Sequence, residues 1–146
     1  MSAEENKAKV RAFYEKAVNK GDLTAVDELV GFTEIAHYSG GAVGQNTPES
    51  VKKWVADLRA AFPNIRVTVE DLISEGDKAV NRVTYRGTHT GEWNDPVWGR
   101  ILPTGKQIAW SAIAINRFAG GKSVEAWDLM DDSGFWRQLG VLPAPR

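Results

Sequence analysis

The sequence has no cysteine, which removes both a disulfide framework and thiolate chemistry from consideration. It also lacks an excess of either charge, since 18 Lys and Arg stand against 19 Asp and Glu for a formal net charge of -1. Without a basic run the chain has no electrostatic footprint for nucleic acid or an anionic membrane, and neither is expected as a partner. Apolar runs are far too short to span a bilayer. The first residues, Met1-Ser2-Ala3-Glu4-Glu5, are acidic where a signal peptide would be basic and then apolar, so a cytoplasmic location is the default expectation. What the chain has in quantity is large rings: six Trp, three Tyr and five Phe. That many suit a heavily packed core or an aromatic-lined pocket. With 146 residues and 42% hydrophobic content, the chain can close one sizeable core, and residues 1–146 are read as a single domain.

The periodicity changes once along the chain. Val10, Phe13, Tyr14, Ala17 and Val18 make a helical stripe from about Ala3 to Lys20, ended at Gly21. Asp22 can cap a short second helix with Leu23, Val26, Leu29 and Val30 on its apolar side. Phe32 to Gln45 reads as a short apolar piece followed by a Gly-rich loop able to move. Thr47-Pro48 is a strong start for a third helix carrying Val51, Trp54, Val55, Leu58 and Phe62, and Pro63 stops it. From Asn64 the period becomes two. Strands are expected from Ile65, over Lys78 to His89, over Gln107 to Phe118, and over Ser123 to Asp131, with Gly91 to Gly105 an irregular connection and Asp132 to Leu139 a closing helix. Three N-terminal helices on a strongly curved, mainly antiparallel sheet give an α+β domain whose open end leaves a cone-shaped cavity.

Within the last strand, Val124, Ala126, Asp128 and Met130 share one side. A carboxylate in such an apolar row finds a partner, sits at the mouth of a cavity or has its proton affinity raised by desolvation, and the last two are how a protein makes a general base. If Gly120-Gly121 is a two-residue turn, Arg117 faces Val124, Ile115 faces Ala126 and Ile113 faces Asp128. That register puts Trp110 on the Trp127 side. Asp131 lies on the opposite parity from Asp128, where it suits a helix cap, although a bulge would exchange the two. His89 reads as a hydrogen bonder at a strand end. An Asp-Arg-Asp arrangement with Arg82 or Arg117 would signal epoxide hydrolysis, and a non-catalytic binder or dimerisation module is the other alternative.

The chain resembles the SnoaL-like polyketide cyclases of the nuclear transport factor 2-like, ketosteroid-isomerase-like cone fold. The resemblance rests on Ala61-Phe62-Pro63-Asn64-Ile65-Arg66-Val67, Glu75-Gly76-Asp77, Arg86-Gly87-Thr88-His89-Thr90-Gly91, Pro103-Thr104-Gly105-Lys106, Asn116-Arg117-Phe118-Ala119-Gly120-Gly121-Lys122, Glu125-Ala126-Trp127-Asp128 and Gln138-Leu139-Gly140. It implies proton abstraction beside a carbonyl for aldol ring closure or isomerisation, with no metal or cofactor, on an apolar small molecule. The catalytic candidates it implies are Asp128, with His37 as helper and Asp131 as the competing acid. Tyr38, Trp54, Leu58, Tyr85, His89, Ile113 and Met130 are the candidate substrate contacts. Ala126 stands where the family often has His, and the Glu92 to Leu102 stretch is longer than the common version. Members of this fold pair through the outer face of the sheet, which implies a homodimer through the Trp110, Trp127 and Leu129 parity.

Overall fold

The computed structural model describes residues 2–142 and shows a helical cover on one face of a curved sheet. Of the tail read from the sequence as Val141 to Arg146, the last four residues lie outside the described residues. Helix α1 (Ala3–Ala12) begins where the Ser2 hydroxyl accepts the Glu5 N–H, and it runs on into a widened π-helical turn, Phe13–Val18. That turn places the Phe13 and Tyr14 rings edge to face, 5.1 Å apart, and buries both. Helix α2 (Thr24–Leu29) follows Asp22, whose carboxylate accepts from the Thr24 N–H and hydroxyl. Helix α3 (Pro48–Ala61) opens on a capping box between Thr47 and Ser50 with Pro48 in its first turn. No helix among the described residues is long and apolar enough to cross a membrane.

The strands are β1 (Val30–Tyr38), β2 (Val43–Asn46), β3 (Arg66–Glu75), β4 (Lys78–Thr88), β5 (Trp93–Asp95), β6 (Gly99–Ile101), β7 (Gln107–Ala119) and β8 (Lys122–Met130), and α4 (Asp132–Leu139) closes the chain. Six of the strands form one sheet in the order β2-β1-β8-β7-β4-β3, antiparallel except where β1 runs parallel to β8. Register shifts interrupt β1/β8, β3/β4 and β7/β8. Each adds local twist, and together they bend the sheet into the wall of a cone. The inner face meets the helices through Val10, Val18, Val26, Val55, Leu58 and Phe62, all buried.

Four sequence readings change. The segment 32–45 is a long strand and its partner, β1 and β2, in place of a short apolar piece and a loop; only Ser39–Gly41 keeps the loop character, as a short 3-10 turn. The stretch 91–105 is not wholly irregular, because β5 and β6 pair as a small hairpin. The Asp95 carboxylate accepts from the Trp136 and Trp93 indole N–H groups at 2.7 and 3.3 Å and from the Val97 and Trp98 N–H groups, which ties that hairpin to α4. The β7/β8 register is also one residue off the two-residue-turn reading. Ala119 pairs with Lys122 and Phe118 with Ser123, but Arg117 then pairs with Glu125, leaving Val124 as the extra residue of a bulge. From there on Ile113 pairs with Leu129 and Ala114 with Asp128. The fourth change follows from that shift, since it carries Ile113 outward to 50% exposure and Trp110 inward to 4%. Trp110 is therefore core. It stacks on Tyr85 at 5.1 Å and contacts Phe135 and Phe62 at 4.7 and 5.2 Å, closing one end of the cone with rings.

Candidate active site

On the concave face the central strands are paved with alanine. Ala36 lies beside Ala126 on the neighbouring strand, and Ala112 and Ala114 continue the floor on β7. All four are buried. A row crosses this floor from Asn81 on β4 through Ala114 to Asp128 on β8 and Tyr38 on β1. Asp128 therefore points into the cone. Its own surface is exposed to water, as that of a group on the open wall of a concavity is. Among the described residues nothing donates a hydrogen bond to it. Burial, with smaller repulsions from Asp132 and Glu34, pushes its carboxyl up to about 6.

Two tyrosines face the same space. Tyr14 donates its hydroxyl to Asn81 Oδ1 at 3.0 Å, and the Tyr85 hydroxyl lies within hydrogen-bonding reach of Tyr14. Burial first, and the charge of Asp128 in addition, hold both phenols above their ordinary range, so both are neutral donors at physiological pH. Tyr38, next to Asp128 in the row, donates to Asn46 Oδ1 at 2.7 Å, and burial raises its phenol too. Asn46 in turn donates to Glu34, a fully enclosed carboxylate on β1. Tyr14, Asn81 and Glu34 were not singled out by sequence reasoning. Tyr14 looks like one more member of a helix stripe, and Glu34 sits in what reads as a loop. The alternation Glu34, Ala36, Tyr38 against Ile35, His37 is the signal that places Glu34 on the inner face.

The remaining candidates are dispersed. Met130 shares the Asp128 face and is half-buried, and Trp54 reaches in from α3 to meet Tyr85 edge-on at 6.4 Å. Leu58 is core. His89 is fully enclosed against Phe62, with Nδ1 held by Thr104, and its burial lowers its proton affinity; it does not reach Asp128. Asp131 caps α4 by accepting the Gly134 N–H at 3.0 Å. His37 pairs with Trp127 and so faces outward. Its ring stacks on that indole at 5.0 Å and its Nε2 lies 2.8 Å from Glu125, so the sheet itself separates it from Asp128. Ile113 faces outward likewise, for the bulge reason given above. Arg82 and Arg117 also point away from the cone, held by Asp71 and Glu125. A groove of about 430 Å³ near Arg66 and Arg86 does not include Asp128. Among the described residues no cluster of His, Asp and Glu has the geometry to hold a metal.

A model of the SnoaL-like polyketide cyclases matches residues 8–139. The chain belongs to the SnoaL-like polyketide cyclase family. This membership, with the cone-shaped sheet and its helical cover, places the fold among the nuclear transport factor 2-like structures and points to cyclase- or isomerase-type chemistry on a small molecule. Among solved structures, AclR of Streptomyces galilaeus, a proposed hydroxylase, is 26% identical with a TM-score of 0.80 over 99% of this chain and 87% of that one. TsrD of Streptomyces laurentii is 27% identical, TM-score 0.80, over 97% and 99%. IdmH of Streptomyces antibioticus, a proposed polyketide cyclase, is 28% identical, TM-score 0.73, over 93% and 99%. None of the curated protein sequences compared with the chain matches it.

Proposed function

We propose that this SnoaL-like protein is a cofactor-independent cyclase or isomerase in which Asp128 removes a proton from a carbon beside a carbonyl. The observation that carries the reading is the state of Asp128: an undonated carboxylate on an alanine-floored concave face, with its proton affinity raised to about 6. At neutral pH it is ionised, yet basic enough to accept a proton from an activated carbon acid. The Tyr85 hydroxyl, kept neutral by burial, is the donor this reading assigns to the forming enolate oxygen, while Tyr14 is engaged in holding Asn81. In the ring-closing version the enolate carbon attacks a second carbonyl of the same molecule, one C–C bond forms, and protonated Asp128 returns its proton to the new alkoxide. The step is redox-neutral and balances without an external oxidant or reductant. The alanine floor with Met130 and Trp54 suits an apolar, carbonyl-rich small molecule.

The test is turnover of a panel of linear and cyclic polyketides by native protein and by Asp128→Asn, with Glu125→Gln as a control on the opposite face. Loss confined to Asp128→Asn supports the reading. Equal activity of the two variants sinks it. The epoxide-hydrolase alternative gains no support, since neither Arg82 nor Arg117 faces Asp128; of the two features that would favour a carrier, tryptophans filling the cone are present in Trp93 and Trp110, and an outward Asp128 is not.

A homodimer through the outer face of the sheet belongs to the same proposal. Leu129 and Ile113, paired across β7 and β8, are 62% and 50% exposed, and Ile35 continues the apolar area. Trp110 is absent from this surface. Light scattering should give twice the chain mass for native protein and the chain mass for Leu129→Lys; a monomeric native protein would rule the dimer out.

A further inference from the structure

Two arginines stand directly opposite one another on the convex face. Arg66 on β3 pairs with Arg86 on β4, and the row continues to Ala109 on β7; all three are exposed. Their parity is the outer one, because the adjacent pair Val67 and Tyr85 belongs to the core. Like charges facing each other across an antiparallel pair repel, with Cβ atoms about 5 Å apart, and an arginine keeps its charge at any physiological pH. The other strand arginines are paired: Arg82 holds Asp71, Arg100 holds Glu92 and Arg117 holds Glu125. Among the described residues Arg66 and Arg86 have no such partner. Glu70, on the same strand as Arg66, accepts from the Thr84 hydroxyl at 3.1 Å and forms no ion pair with either arginine.

Both arginines line the groove of about 430 Å³ that excludes Asp128, and none of the residues lining it is Asp or Glu. Much of its polar wall is fixed by the protein's own bonds. The Asn64 amide donates to Thr88 Oγ1 at 3.0 Å while the Thr88 N–H donates to Asn64 Oδ1 at 2.8 Å. Gln138 brackets Ala109, accepting its N–H at 3.0 Å and donating to its carbonyl at 2.6 Å. The guanidinium groups carry unused donors into this frame. We propose that the Arg66–Arg86 groove is a binding site for a compact dianion, the phosphate group either free or at the end of a monoester. Such a group carries close to two negative charges at neutral pH, matching the two cations, and its oxygens accept the forked pair of N–H groups that a guanidinium offers. A ligand shared by both arginines turns their repulsion into a common attraction, which a monocarboxylate with its single charge does less well. The groove lies on the opposite face of the sheet from Asp128, so it stands or falls apart from that residue's chemistry.

The experiment is titration of ¹⁵N-labelled native protein, at pH 7.5 and constant ionic strength, with inorganic phosphate, with glycerol 1-phosphate and with acetate, followed through the backbone amide and guanidinium Nε signals. Phosphate should give saturable shifts centred on Arg66, Arg86, Gly87 and Ala109, and acetate should bind at least about tenfold more weakly. Arg66→Gln and Arg86→Gln should each weaken phosphate about tenfold, the worth of a hydrogen bond to a charged group, while Arg82→Gln, whose guanidinium is already held by Asp71, should leave it within about twofold. Tighter binding of glycerol 1-phosphate assigns the site to a monoester, and equal or weaker binding assigns it to the free ion. Shifts that fail to saturate, that centre elsewhere, that acetate reproduces at equal concentration, or that persist unchanged when both arginines are replaced overturn the proposal. If the double variant does not fold, the native titration still decides, because the place of the shifts and the preference for phosphate over acetate are read without it.

Discussion

Glu125 and Asp128 stand three residues apart on one strand and have opposite fates. Glu125 points outward, where His37 at 2.8 Å and Arg117 at 3.1 Å bind it and hold its carboxyl below the usual range. Asp128 points inward, where among the described residues it meets no donor and no cation, and desolvation lifts it to about 6. One residue type of chemistry thus yields a structural ion pair on the convex face and a poised base on the concave face. The difference is made by the pleat of β8 and by what the neighbouring strands present: His37 and Arg117 on one side, alanines and tyrosines on the other.

The sharpest way to break this comparison is by activity. Asp128→Asn should lower turnover by about 10² to 10⁴, the worth of a general base, while Glu125→Gln should leave it within about twofold. Packing gives the next largest contrast. Trp110→Ala, in the ring cluster with Tyr85, Phe62 and Phe135, should cost about 3–5 kcal/mol in denaturant unfolding, whereas Leu129→Ala on the outer face should cost well under 1.5 kcal/mol in the monomer. A cost for Trp110→Ala as small as that for Leu129→Ala would contradict the inward placement of Trp110.

Stability against pH separates the two carboxylates in sign. Folding raises the Asp128 value, so the native state holds that proton more tightly than the unfolded chain does. Its contribution is most favourable below about pH 4 and is lost as pH rises through about 6. Asp128→Asn should therefore stabilise the protein at pH 7.5, by about 1 kcal/mol once solvent at the open side is allowed for, and hardly at all at pH 4. Glu125 runs the other way. Its depressed value contributes stability above the ordinary carboxylate range and loses it as pH falls through the folded value, so Glu125→Gln should lower Tm at pH 7 and by less near pH 3. Thermal melts at the two pH values check both signs. The smallest expected effect is that of His37→Phe, which keeps the stack on Trp127 and should change turnover by less than about twofold; a large loss would restore His37 to the chemistry.

Much of this was legible in the chain because local rules and tertiary structure agree. The Thr47-Pro48 start, the Gly120-Gly121 turn and the stripe of α3 are short-range signals, and each element forms where they place it. The α+β class and the curved sheet follow from them, while the family likeness rests on the motifs quoted between Ala61 and Gly140. The apolar row of Asp128 was also readable, since Ala126, Asp128 and Met130 alternate after the bulge as they would without it, but the sequence leaves open whether that row or Asp131 faces the cone. What misleads is the bulge itself. Val124 carries no mark in the sequence, and one extra residue there reverses the faces assigned to Ile113 and Trp110. His37 is misplaced for a related reason: without knowing that β1 lies parallel to β8, nothing in Ile35-Ala36-His37-Tyr38 says which parity meets the cone. Glu34 and Tyr14 are invisible as site residues because their partners, Ser123, Asn46 and Asn81, are brought to them from 12 to 89 positions away.

The central claim is that the concave face turns an ordinary carboxylate into a base, and the titration midpoint of Asp128 in native protein measures that directly. Followed by carboxyl ¹³C chemical shift, with Asp128→Asn to identify the signal, it should fall near 6. A midpoint at or below the ordinary aspartate value of about 4 would show that the site does not desolvate Asp128, and the account of its chemistry would fail with it.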